Sequence, residues 1–143
     1  MSTVLVVGSA HLDVLAKARY RDDVIDRIGS VFIEVGGTAC NIAINLAHAG
    51  AKVRFMSAFN ESAISKMIVE YISRMKIELH IEYVKNLPTG GFSSHVSTKG
   101  EMVGAVSEMP VERVNFSESR IAAAMDGVKA VVLDCNLSPL AIN

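Results

Sequence analysis

Residues 35–50 read VGGTACNIAINLAHAG, with two glycines set directly ahead of an apolar helical pattern. Glycine loses the most backbone freedom on folding, so it is costly inside a helix or strand. It is used where φ must be positive or where another group must come close to the backbone. Gly36 and Gly37 therefore mark either a tight strand-to-helix turn or the approach path of a ligand. The helix start behind them offers unpartnered N–H groups to hydroxyl oxygens. Asn41 can both donate to and accept from a hydroxyl, and can equally cap backbone groups in the first turn. Asp13 lies just past the apolar run TVLVV (3–7), where open α/β sheets bind their ligands. Its ionised carboxylate accepts from two neighbouring hydroxyls, which suits a cis-diol; a solvated loop acid or a helix cap would look the same. Taken as a binding site, these residue types would hold hydroxyl groups; taken as local structure, they are a tight strand-to-helix turn, a loop acid and a capping Asn.

Other reactive residues add little. His11, His48, His80 and His95 have no metal-ligand spacing, and no acidic cluster suggests a metal site. Cys40 has no basic partner near it in sequence and reads as helix core rather than nucleophile. Cys40 and Cys135 are far apart, outside any CxxC and in apolar surroundings, which predicts two buried free thiols and fits a reducing cytoplasm. GSAHLDVLA (8–16) lacks the G-x-G-x-x-G spacing of a dinucleotide site, and no Walker-type loop is present.

The elements that must position these groups alternate in type. TVLVV (3–7) predicts a buried parallel strand, and LAKARY (15–20) and VFIEV (31–35) predict weaker strands separated by the charged stretch 21–26. Apolar residues at 39, 42, 43, 46 and 47 form a helical stripe closed by Gly50. VRFMS (53–57) predicts a strand, followed by Asn60 as N-cap of a helix carrying Ile64, Met67, Ile68, Tyr71, Ile72 and Met75. LHIEYV (79–84) alternates as a strand does, and Ser117 or Asn115 caps a helix over 121–125 ahead of the strand AVVLD (130–134). This order predicts right-handed βαβ units and a parallel sheet. GFSSHVST (91–98) and EMVGAVSE (101–108) flank Lys99-Gly100, a hairpin signal outside that order. The hairpin joins 15–20 and 31–35 more naturally as a small separate sheet, a flap. Phe92, Ser94 and Val96 share one face of it, so Phe92 either covers a ligand or belongs to the flap's own packing.

Near the end, Ser138-Pro139 is a helix-start signal with Asn143 only about one turn beyond, short of a stable helix. This predicts the N-terminal part of a longer domain, with a natural short protein as the alternative. The 143 residues amount to about one domain, half of them apolar and 20% charged, with a net charge of −1. Mean hydropathy is +0.35. The charge gives no reason to expect nucleic acid or an anionic membrane surface, and no run approaches a bilayer span.

GSAHLD (8–13) after the first strand, followed by GGTACNIAINLAHAGAKV (36–53), resembles the N-terminal half of the ribokinase-like (PfkB) carbohydrate and nucleoside kinases. PTGGFSSHVSTKGEMVGAVSEM (88–109) is similar to the family's second lid segment, and VVLDCNLS (131–138) to its mid-chain strand. GEMVGAVSEM and LDCNLS look most like the pseudouridine-kinase-like branch.

The resemblance implies a Rossmann-like parallel sheet flanked by helices. It is one α/β domain with lid segments at about 14–35 and 88–109 and its C-terminal half missing. It implies a cytoplasmic kinase that transfers phosphate from ATP, with Mg²⁺, to a primary hydroxyl of a sugar or nucleoside, and a homodimer closed through the lid. Asp13, Asn41, Gly36 and Gly37 fall on the family's sugar-holding positions. His11 stands where ribokinases often carry Asn, and Thr38 where they carry Lys, a departure that speaks against ribose itself. Asn60-Glu61 replaces the family's usual Gly-Asp, and Phe92 falls in the lid. The family's catalytic Asp, in a Gly-Ala-Gly-Asp motif, has no match in residues 1–143, so this chain alone is expected to be inactive. The competing expectation is a non-catalytic small-molecule-binding or dimerisation module.

Overall fold

The computed structural model describes residues 2–142. Among them the strands form two four-stranded sheets. The main sheet is parallel throughout and runs β5-β4-β1-β8, from β1 (Thr3–Val7), β4 (Lys52–Phe59), β5 (Glu78–Tyr83) and β8 (Val128–Leu133). Its two central strands are apolar on both faces, as helix-covered parallel strands must be. Val6, Val53, Phe55 and Phe59 pack on one side with Ala39, Cys40 and Ala43 of α1 (Thr38–His48) and Ile68 and Ile72 of α2 (Ala63–Ser73). Leu5, Val7 and Met56 pack on the other with Val111, Val114, Phe116 and Ala124, the last in α3 (Glu118–Met125).

The second sheet is the predicted flap, in the order β3-β2-β6-β7. It comprises β2 (His11–Ala18), β3 (Gly29–Gly36), β6 (Gly91–Val96) and β7 (Met102–Glu108). β2 begins at His11, four residues earlier than the apolar pattern indicates, because its antiparallel register with β3 runs unbroken from His11 opposite Gly36 to Ala18 opposite Gly29. Asp13 therefore stands inside a lid strand rather than in a loop.

Two further expectations are corrected, the N-cap of α2 and the burial of Cys135. The N-cap of α2 is Ser62, whose hydroxyl accepts from the Ser65 N–H; Asn60 supports it from outside, accepting from the Ser62 N–H at 3.0 Å. Within the α2 stripe only Ile68 and Ile72 are fully buried, while Ile64, Met67 and Tyr71 remain exposed. Cys40 is buried as expected, but Cys135 lies two residues beyond the end of β8 and is exposed. At α4 (Pro139–Ile142) the Ser138 hydroxyl accepts from the Ala141 N–H at 3.1 Å, as the Ser-Pro signal predicts.

Candidate active site at the root of the lid

β1 passes into β2 through Gly8, Ser9 and Ala10, so the lid is rooted at the C-terminal edge of the main sheet. Two residues of that root explain the glycine pair. Gly37 has φ of 103°, and a Cβ there would lie 2.6 Å from the Ser9 carbonyl oxygen and 2.9 Å from the Ala10 Cα. A Cβ at Gly36 would lie 2.2 Å from Oδ2 of Asp13. The close approach demanded of the glycines is thus made by the chain itself: backbone 9–10 against Gly37, and the Asp13 carboxylate against Gly36. The Cys40 N–H, in the first turn of α1, donates to the Ser9 carbonyl at 3.1 Å and ties helix to root.

His11 is 4% exposed, and its Nε2 lies 3.1 Å from Oδ1 of Asp13. The contact is out of line for a hydrogen bond: that oxygen and Nδ1 of His11 are both buried without a hydrogen-bond partner. The Asp13 side chain as a whole keeps 38% of its surface open. A carboxylate pinned from behind and open in front can accept from incoming hydroxyls. Burial pushes the Cys40 thiol up to about 12, with the Asp13 charge adding to the effect, so Cys40 is a packed neutral thiol beside the site.

Two polar hubs anchor the lid's entry points. Asp134, buried at the end of β8, accepts from the Ser9 N–H at 3.1 Å and the Ser9 hydroxyl at 2.5 Å. Its other oxygen accepts from the N–H and side-chain amide of Asn136 at 3.0 and 2.8 Å. Burial pushes this carboxyl up, but the bonds from Ser9 and Asn136 together outweigh it and hold the pKa below its ordinary 3.8. At the end of β4, Asn60 donates to the Leu87 carbonyl at 2.8 Å and the Thr89 hydroxyl at 3.0 Å, and accepts from the Ser65 hydroxyl at 2.7 Å. That hub fixes the segment entering β6.

On one lid face a cavity of about 390 Å³ is lined by Asp13, Leu15, Phe32, Glu34, Phe92 and Ser94, with Val14 at its margin. Sheet register builds it: Asp13 is opposite both Glu34 and Phe92, and Leu15 is opposite both Phe32 and Ser94. The structure therefore brings Asp13, His11, Gly36 and Phe92 together. Thr38 and Asn41 are exposed on the first turns of α1, outside the cavity lining. Sequence reasoning gave no role to Glu34, Phe32, Ser9 or Asp134. Glu34 and Phe32 are visible only through strand pairing. Asp134 carries the signal that singled out Asp13, an acid just past an apolar strand.

The model of the pfkB family carbohydrate kinases matches residues 1–134. The chain belongs to that family. It is 26% identical, over 96% of its length, to a guanosine-inosine kinase of Exiguobacterium acetylicum, of which it covers 47%. A carbohydrate kinase from Agrobacterium tumefaciens superposes with a TM-score of 0.83 at 21% identity, over 96% of this chain and 46% of that one. A ribokinase of Arabidopsis thaliana, solved with ribose and ATP, superposes with a TM-score of 0.77 at 20% identity, over 95% of this chain and 46% of that one. The chain thus spans about half the length of the relatives it matches, and these neighbours establish the ribokinase fold.

Proposed function

We propose that these residues are the sugar-holding half of a kinase that phosphorylates a primary hydroxyl of a sugar or nucleoside. The observation that carries this reading is the Asp13 carboxylate, set against Gly36 at the lid root with one oxygen buried and unpartnered. In the reaction, Asp13 accepts from two adjacent hydroxyls and so orients the substrate. Asn41 and Thr38, exposed at the start of α1, are the further residues this reading assigns to the sugar, and His11 backs the carboxylate. The segments about 14–35 and 88–109 act as a lid whose closure excludes water from the transfer. ATP, with Mg²⁺, supplies the phosphoryl group in such kinases. Among the described residues no three His, Cys, Asp or Glu side chains converge to hold a metal, so these residues do not themselves fit Mg²⁺.

Two lids packing together give a homodimer in this reading, supported by the exposure of Val31, Ile33, Val103 and Val106 on the lid strands. Sedimentation equilibrium tests that arm, and a monomer of 15.3 kDa at micromolar concentration would reject it. Among the described residues no helix is long and apolar enough to cross a membrane.

The deciding experiment is kinetic. In a longer protein that carries this chain, Asp13→Ala should raise KM for the sugar far more than KM for ATP, each lost charge-assisted bond costing about 1.5–3 kcal/mol. Equal effects on both substrates would make Asp13 a structural residue. The isolated chain should show no turnover.

A further inference from the structure

We propose that the lid half of this site is built for a nucleobase, so that the substrate class is nucleosides rather than free sugars. Glu34 and Ser94 would read the polar edge of the base. The inference rests on the reading of Asp13 as the carboxylate that holds the sugar.

The cavity face consists of two rows of side chains. Glu34, Asp13 and Phe92 form the row nearest the root, and Phe32, Leu15 and Ser94 form the next. Successive rows on one strand face lie about 6.6 Å apart. A pentose held at Asp13 occupies the first row, and whatever is attached to it reaches the second. The second row is the wrong surface for more hydroxyls. Phe32 and Leu15 offer no hydrogen bonds, and hydroxyls desolvated against them would go unpaired. A planar heterocycle has the opposite distribution, with apolar faces for Phe32, Leu15 and Phe92 and a polar rim for a few groups.

Two polar groups await that rim. Ser94 is 1% exposed, lines the cavity, and its hydroxyl has no hydrogen-bond partner. A buried hydroxyl left unpaired is unfavourable, and a ring carbonyl or ring nitrogen would pair it. Glu34 stands directly across from Asp13. Like charges in opposed strand positions repel, and an N–H donor presented to one of them relieves the pair. The ring N–H of an oxopurine or of a pyrimidine imide is such a donor. A bound cation is the weaker occupant, because among the described residues no three His, Cys, Asp or Glu side chains converge to hold a metal.

The test uses this chain with inosine and ribose as probes. Saturation-transfer NMR should show stronger transfer to the base protons H2 and H8 than to the sugar protons. Equilibrium dialysis should give at least about tenfold tighter binding of inosine than of ribose. Ser94→Ala, in the second row, should weaken inosine about tenfold and leave ribose unchanged, and the exposed Glu34→Gln should weaken inosine, with thermal melts confirming the fold. Ribose bound as tightly as inosine, or Ser94→Ala weakening both alike, would overturn the base-reading role and leave the sugar site standing. Absence of binding by both probes, with Asp13→Ala making no difference, would overturn the sugar site and this inference together.

Discussion

β4 of the main sheet and β7 of the lid are neighbours in kind, one eight and one seven residues long, yet six of β4's residues are buried and every residue of β7 is exposed. The main sheet is sandwiched between two apolar layers, whereas the lid meets the rest of the protein mainly at its root. A sheet with bare faces gains little from burial, so its geometry depends on backbone pairing and on a few anchoring contacts. This difference suits a lid, because elements that move are drawn from the less stable parts of a fold.

The largest expected effect lies in the main sheet. Phe55 is 0% exposed, and Phe55→Ala should cost about 3–5 kcal/mol in urea unfolding. Val106, 75% exposed on β7, should cost less than about 0.5 kcal/mol when changed to Ala. Comparable losses at both sites would mean that the lid faces are covered in solution, as a dimer through them requires.

The next effect lies where the regions join. Gly37→Ala places a Cβ against the Ser9 carbonyl at positive φ, and should cost about 1–3 kcal/mol by the same assay. Gly36→Ala forces the Asp13 carboxylate aside, so it should abolish ligand binding at a smaller loss of stability. A Gly36→Ala protein that binds normally would show that Asp13 has room to move.

The two hubs differ in charge, and that sharpens the comparison. Asp134 has a folded pKa below its unfolded value, so its contribution is present above about pH 3.8 and is lost as pH falls through the lower folded value. Asp134→Asn should therefore lower stability by about 1–3 kcal/mol at neutral pH and flatten the acid limb. Asn60→Ala removes a non-titrating hub and should lower the stability curve without changing its slope in acid. Identical pH profiles for the two variants would contradict the role given to the Asp134 charge.

The smallest effect concerns the thiols. Cys135 should react with Ellman's reagent in the native protein, and Cys40 only after unfolding. Because the Cys40 pKa is raised from 9.0 to about 12, its contribution to stability is full below pH 9 and declines as pH rises toward 12. Two fast-reacting thiols at pH 8 would place Cys40 outside the core.

Much of this arrangement could be read from residue order. Strand positions 3–7, 53–57 and 130–134 follow from short apolar runs, 79–84 from alternation, and the stripe at 39–47 from helical spacing, because all report local pattern. The lid was legible as an exception to the βαβ order. The start of β2 was not, since the alternation of HLDV spans only four residues and the segment is held as strand by its pairing with β3. The α2 cap was misplaced by two residues because Asn60 and Ser62 are both good caps; Ser62 accepts from the Ser65 N–H, while Asn60 bonds the Leu87 carbonyl and the Thr89 hydroxyl.

Of the site, the sequence by itself determined the types: an acid after the first strand, a Gly-Gly pair, an Asn on the following helix and a Phe in the hairpin. It also determined the layer order, since hydrophobic periodicity is a property of neighbouring residues. Only the tertiary structure decided that the glycines make room for Asp13 and the 9–10 backbone, that Glu34 and Ser94 share a cavity with Asp13, and that Asp134 clamps Ser9 from the far end of the chain. These are contacts between residues as many as 125 positions apart. Strand register and sheet order bring them together, and neither is encoded in the local pattern of any one segment.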